Sequence, residues 1–185
     1  MFENSFYEQN IEDRRHARYA LVLYLPTELD EIVAPYRERF DPLYNLVASH
    51  VTIVFPFDAT RPLEELSAMI EEELQKETEF QIMLSSIADF YPSTPVICWK
   101  VHRNERLNNL YYRLYARLGL SIPFRDYIPH VTIAREISDH RVLFVKEQVV
   151  PYLPNESFMA RTVDLITPLP GNRWVSVRTF GLQQP

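Results

Sequence analysis

The 185-residue chain is 46% hydrophobic and 24% charged, which fits one sizeable globular domain with a real core. Its net charge of −6 argues against the broad basic footprint that a long nucleic-acid duplex requires; a small nucleotide or an RNA end needs only local positive charge. The single cysteine, Cys98, excludes an internal disulfide and a cysteine-based zinc cluster. No stretch approaches the roughly 20 apolar residues that span a bilayer, so a cytosolic chain with no membrane partner is expected.

Residues 1–16 form a polar leader of mixed charge with no apolar signal-peptide core. Ala17 to Leu25 reads as a strand ended by Pro26. Thr27 is placed to cap a helix running to about Phe40, with Asp30 and Glu31 near the positive end of its dipole and Pro35 as a possible break. Ser49 to Phe57 is rich in β-branched and apolar residues and reads as a strand closed by Pro56. Pro62 to Lys76 is the clearest helix. Leu63, Leu66, Met69, Ile70 and Leu74 recur on one face, opposite Glu64, Glu65, Glu71, Glu72 and Glu73, an acidic run read as a solvated face. Glu79 to Tyr91 is the next strand.

The order then begins again. Val96 to Val101 is a strand that contains Cys98 as a small buried hydrophobe. Asn104 to Leu118 is a helix with Leu107, Leu110, Tyr111, Leu114 and Leu118 on one face, and Gly119 stops it. Pro129 to Arg135 is a strand. Ser138 or Asp139 can cap a helix to about Val150, and Phe158 to Ile166 and Arg173 to Phe180 are strands joined by a turn-rich Pro168–Asn172 linker. Each half thus reads strand, helix, strand, helix, strand. This predicts an α+β, bilobal, pseudo-duplicated domain covering 1–185, with a first lobe at about 17–91 and a second at about 95–182. Two antiparallel-rich sheets, with helices outside, are expected around a central groove.

The two halves share a tetrapeptide, His50-Val51-Thr52-Ile53 and His130-Val131-Thr132-Ile133. Strand side chains alternate between faces, so each His and Thr at i and i+2 share a surface while Val and Ile point into a core. Two such strands brought together offer two imidazoles and two hydroxyls. A neutral and a protonated imidazole form an acid–base pair for in-line attack at phosphorus, and threonine hydroxyls can donate to non-bridging oxygens. This division of labour needs neither cofactor nor metal. A two-histidine metal site would want a nearby carboxylate or third imidazole, and neither motif has an acidic residue at i±2.

These motifs resemble those of the two-histidine phosphoesterase superfamily, which includes 2′-5′ RNA ligase-like proteins and cyclic phosphodiesterases. The segment Arg125-Asp126-Tyr127-Ile128-Pro129-His130-Val131-Thr132-Ile133-Ala134-Arg135 is a close match to the family's second motif. The first copy departs from it with Ser49 where Pro often precedes the histidine. The resemblance covers roughly Arg18 to Leu182. It implies His50, Thr52, His130 and Thr132 as the site, and 2′,3′-cyclic phosphates or 2′-5′ linkages, at an RNA end or on a small nucleotide, as substrates. It leaves open which histidine is the base and whether hydrolysis or ligation is the cellular direction. A non-catalytic module that binds nucleotides or RNA ends through the same groove is the alternative from another class. A monomer is expected.

Three further residues are candidates for substrate contact. Arg125 can hold phosphate and Tyr127 can stack on a base, with a surface ion pair and packing as the plain alternatives. Trp174 can line the groove or pack in the core. Arg135 alternates to the face opposite His130 and is read as a structural brace. Arg103, Arg106, Arg113 and Arg117 fall along one helix and are read as a solvated face, with RNA contact as the alternative.

Overall fold

The computed structural model describes residues 17–149, 151 and 153–184, so the leader at 1–16 and the end of the 138–150 helix lie outside the described residues. Eight strands and four helices alternate along them. In chain order they are β1 (Arg18–Tyr24), α1 (Thr27–Phe40), β2 (His50–Asp58), α2 (Leu63–Leu74), β3 (Phe80–Asp89), β4 (Ile97–Val101), α3 (Glu105–Leu118), β5 (His130–Ala134), α4 (Val142–Val149), β6 (Glu156–Ala160), β7 (Thr162–Pro168) and β8 (Trp174–Gly181). None of the described helices is long and apolar enough to cross a membrane.

The α+β class is as expected, but the two expected sheets are continuous. One antiparallel, strongly curled sheet runs β6-β3-β4-β5-β2-β1-β7-β8. Its two four-stranded groups meet at β2 and β5 through a single register pair, Val51 opposite Val131. Strand pairing also cuts across the sequence repeat. β3, which closes the first repeat along the chain, pairs with β4 and β6, while β7 joins β1.

The stretch expected as one strand over Phe158–Ile166 is two strands. β6 ends at Ala160, Arg161 breaks the run, and β7 begins at Thr162 in the other group. A chain can make that jump in one residue only if the sheet curls until its far strands approach each other. The C-terminal segment ties them there: Leu182 N donates to Arg161 O at 2.8 Å, Glu79 N to Gln183 O at 2.8 Å and Gln183 N to Glu77 O at 2.9 Å. These bonds occupy backbone groups that a sheet edge otherwise leaves open.

The helices form for local reasons, with two departures from expectation. Pro26, not Thr27, is the N-cap of α1, and no side chain caps it; Pro35 sits inside the helix without ending it. The start of α3 carries a side-chain cap, Asn104 Oδ1 accepting from Leu107 N at 3.0 Å, and Gly119 ends it at φ 67°, where a Cβ would be strained. The apolar faces of α1, α2 and α3 pack on one face of the sheet. There Val33, Ile70, Leu107, Leu110 and Leu114 join Val51, Ile53, Val131 and Ile133 in the main core.

The acidic face of α2 is not simply solvated. Glu73 and Glu77 are buried and paired with arginines of α3: Arg113 Nε with Glu73 at 2.9 Å, Arg113 Nη2 with Glu77 at 2.6 Å and Arg106 Nη2 with Glu77 at 3.2 Å. Arg117 pairs with Glu72, and Arg103 with Glu105. The α3 arginines are thereby engaged in structural pairs, three of them fastening α3 to α2 and the segment after it. Shared carboxylates with partly buried guanidiniums make these pairs stronger than isolated surface ones.

Leu110 lies fully buried on the face of α3 turned to the sheet. Leu110→Ala is expected to lower unfolding free energy by about 2–5 kcal/mol, from lost burial plus the cavity left behind. Urea unfolding monitored by circular dichroism reads it; a loss under about 1 kcal/mol would show that α3 is not part of the main core.

Candidate active site

The alternation of β2 and β5 decides the local geometry. Val51, Ile53, Val131 and Ile133 are fully buried against the helices, and His50, Thr52, His130 and Thr132 are partly exposed on the other face. With Val51 opposite Val131, antiparallel counting sets His50 beside Thr132 and Thr52 beside His130. The four side chains form a quartet with approximate two-fold symmetry. The imidazoles occupy diagonal corners, roughly 7–8 Å apart at the backbone by strand geometry.

Both imidazoles are oriented the same way. His50 Nδ1 donates to Ala48 O at 2.7 Å and His130 Nδ1 to Ile128 O at 2.6 Å, each the carbonyl two residues back. A carbonyl only accepts, so Nδ1 carries the proton and Nε2 of each neutral ring is left with its lone pair. An aromatic edge packs beside each ring: Tyr24 at 6.3 Å from His50 and Phe90 at 4.9 Å from His130, both T-shaped.

Burial is the main cause that drives the His50 pKa down to about 4. The Ala48 carbonyl opposes this, while Arg37, Arg135 and His130 add repulsion. His130 is lowered too, first by burial, opposed by the Ile128 carbonyl and helped by Arg135 and Arg125. Both rings are therefore neutral at pH 7 in the free protein, and an anion between them would favour protonation of one.

A buried ion network brackets the quartet at one end. Arg37 Nε and Nη2 donate to Asp41 Oδ2 at 3.1 and 3.0 Å, Nη1 to Ser49 Oγ at 2.8 Å and Nη2 to Val47 O at 2.9 Å. Arg135 Nε pairs with Asp41 Oδ1 at 3.1 Å, and Arg135 N donates to Phe40 O. Asp41 thus links the approach to His50 with the exit from the second motif. Ser49, which departs from the family's usual Pro, is an acceptor in this network. Arg135 braces structure as its position in the sequence suggested, yet its charge still reaches both imidazoles.

The other sequence candidates land differently. Tyr127 stacks on Tyr111 of α3, with ring centres 4.0 Å apart and planes 10° apart, and its hydroxyl donates to Thr52 O at 2.9 Å. It packs on the helix side and takes the packing role, not base stacking. Arg125 is exposed, its guanidinium 4.8 Å over the Phe55 ring. Trp174 is partly buried against Ala20, Val22, Val47 and Ile166, on the face that carries the quartet. Cys98 is fully buried, and burial pushes its thiol up to about 12. Sequence reasoning missed Tyr24, Phe90 and Lys100 beside the histidines and the Arg37–Asp41 pair behind them. Only the strand register reveals the first and third: Tyr24 pairs with His50 and Lys100 with His130. Among the described residues no three His, Cys, Asp or Glu side chains converge as a metal site.

The model of the 2′-5′ RNA ligase superfamily matches residues 25–172, spanning both motifs. The chain belongs to that superfamily. A Geobacillus kaustophilus protein named "Putative phosphoesterase" is 29% identical over 169 residues, covering 88% of this chain and 95% of the relative. A Bacillus pumilus protein with the same name is 34% identical over 124 residues, 66% of this chain and 72% of its own length. Among solved structures, E. coli LigT complexed with 3′-AMP superposes with a TM-score of 0.66 at 17% identity, over 91% of this chain and 99% of LigT. LigT has also been solved with NADP+, phosphate and ATP. At that identity the superposition establishes a shared fold, and family membership rests on the superfamily match.

The His50 assignment is open to direct measurement. In a proton NMR titration the His50 Cε1–H signal, identified by its absence in His50→Gln, is expected to move with a midpoint near 4. The linkage to stability has a definite sign. The unfolded ring takes a proton below about 6.5 and the folded ring resists it, so stability falls as pH drops from about 6.5 toward 4. A midpoint at 6.5 or above would contradict the burial and the neighbouring charges described.

Proposed function

We propose that this chain is a phosphoesterase that opens 2′,3′-cyclic phosphates or cleaves 2′-5′ phosphodiesters, on a small nucleotide or an RNA end, by metal-independent His–His acid–base catalysis. The observation that carries this reading is the quartet itself: two imidazoles with their Nε2 atoms free, at diagonal corners, each beside a threonine hydroxyl. Family membership and the phosphoesterase names of the relatives support it, and the small nucleotides bound to LigT favour a nucleotide ligand.

The phosphate sits between the diagonal histidines, with Thr52 and Thr132 donating to its non-bridging oxygens. His50, the ring held neutral by burial and two guanidiniums, is the base. Its Nε2 takes a proton from water as the water oxygen bonds to phosphorus. On the opposite side the bond from phosphorus to the 2′ or 3′ oxygen breaks, and His130 Nε2–H protonates that departing oxygen. The substrate's negative charge raises the His130 pKa on binding and supplies the imidazolium that the free protein lacks at neutral pH. With an RNA 5′-hydroxyl attacking in place of water, the same two roles open the cyclic phosphate at its 3′ oxygen and form a 2′-5′ bond, which is ligation.

The test is turnover of a panel with chelator present: RNAs ending in 2′,3′-cyclic phosphate, cyclic mononucleotides and 2′-5′ dinucleotides. His50→Ala and His130→Ala are each expected to lose about 10²–10⁴-fold in rate. The double variant should lose little more, because the pair acts as a unit. Thr52→Ala and Thr132→Ala should lose less than either. Full activity in a single-histidine variant would end the acid–base assignment. Activity abolished by chelator and restored by one divalent ion would replace the mechanism with a metal-dependent one. Tight ligand binding with no turnover of any substrate would make the chain a binding module.

The pH profiles follow from the lowered pKa values. The ratio kcat/KM reports the free enzyme, in which both rings titrate below 6.5, so its maximum should lie on the acid side of pH 6.5. The kcat maximum should lie at higher pH, because the bound anion favours the imidazolium. Coincident maxima above pH 7 would be inconsistent with the lowered imidazole pKa values.

A further inference from the structure

The quartet is close to two-fold symmetric, and a symmetric site cannot tell one end of its substrate from the other. The strands that flank it break the symmetry. The neighbour of His50 on β1 is Tyr24, and the neighbour of His130 on β4 is Lys100. Directly opposed residues in an antiparallel pair share a face, so both side chains lie on the surface that carries the histidines. Each is one strand spacing, about 4.8 Å, outward from the strand bearing its histidine.

The two ends differ in charge. Lys100 is exposed and, among the described residues, its ammonium makes no hydrogen bond or ion pair. By contrast, Arg37, Arg61, Lys76, Arg113, Arg135 and Lys146 are held by carboxylates. Next outward on β3 is Ser86, opposite Lys100. At the other end β7 places Asp164 opposite Val22, itself opposite Thr52. The Asp164 carboxylate is buried, accepts from Thr179 Oγ1 at 2.6 Å, and lies close enough to the Tyr24 hydroxyl to act on it electrostatically. One end of the polar face thus carries an uncompensated cation and the other a buried anion.

We propose that Lys100 binds a second phosphate of the substrate, beyond the one held by the quartet, and so orients a bisphosphorylated nucleotide with that phosphate on the His130 side. This rests on the reading that the quartet holds the scissile phosphate. The quartet already supplies two hydroxyl donors and a proton donor to that phosphate, and Lys100 stands one strand farther out, where the next anionic group of a nucleotide falls. Asp164 repels the same group from the Tyr24 end. A substrate with a single phosphate lacks the group that distinguishes the two ends.

The test separates binding from turnover. Calorimetry compares adenosine 2′,5′-bisphosphate with adenosine 2′-monophosphate on the wild type, Lys100→Met, Lys100→Gln and Lys100→Arg. A charge-assisted bond to the second phosphate should give the wild type a preference on the order of ten-fold for the bisphosphate. That preference should weaken with added salt, fall to about one in Lys100→Met and Lys100→Gln, and recover in Lys100→Arg. No bisphosphate preference in the wild type overturns the inference, as does a preference that survives both neutral variants. A wild type with a Lys100-dependent preference that turns over no phosphoester keeps this inference and overturns catalysis. A wild type that hydrolyses cyclic mononucleotides but shows no bisphosphate preference keeps catalysis and overturns this.

Discussion

One backbone pairing, Val51 against Val131, holds the two halves of the sheet together and sets the register of everything built on them. Slipping that register by one residue would turn the apolar side chains of a strand outward and its His and Thr inward. Burial of Val51, Ile53, Val131 and Ile133, each fully covered by the main core, makes the slip costly. The same four residues that stabilise the junction therefore fix which side the histidines occupy. Stability and the proposed chemistry are specified by one pattern, read on its two faces.

A junction with one register pair leaves backbone groups that a longer ladder would have bonded, and tyrosines attend to them. Tyr127 donates to the carbonyl of Thr52, and Phe55 N donates to the hydroxyl of Tyr115 on α3. Tyr127 in turn stacks on Tyr111, which packs against Tyr115. At the other end of the strands the Arg37–Asp41–Arg135 network performs the same service with charges. Burying those charges is expensive, and their mutual pairing with Ser49 and the Val47 carbonyl offsets that cost. A network that touches both motifs and places guanidinium charge near both imidazoles adds to the burial that keeps the rings neutral.

The sequence made legible what is periodic. The His-x-Thr strands, the apolar stripe of α2 and the leucine face of α3 follow from side-chain spacing, and Gly119 marks the end of α3 because its backbone is left-handed there. What depended on distant partners was not legible. Arg161 alone separates β6 from β7, and no local signal says that one residue carries the chain between the two groups of the sheet. Glu73 looked like a solvated charge because its partner, Arg113, lies one helix away in the fold. Tyr127 sits in a segment rich in functional signals, yet its stacking partner is a helix residue that the motif does not reveal.

The same limit explains why the flanking strands were silent about orientation. A repeated motif draws attention to what its two copies have in common, and the common part is necessarily symmetric. Phosphoryl chemistry with one base and one acid is not symmetric: one histidine must start neutral and the other must become protonated. Part of the difference lies in the surroundings, since Arg37 acts on His50 and Arg125 on His130 while Arg135 acts on both. The rest lies one strand out, where Tyr24 and Lys100 occupy equivalent register positions with unlike chemistry. Those residues belong to β1 and β4, the first strand of each sequence repeat. The two copies of the motif therefore supply what is symmetric in the proposed site, and the neighbouring strands supply what is unlike.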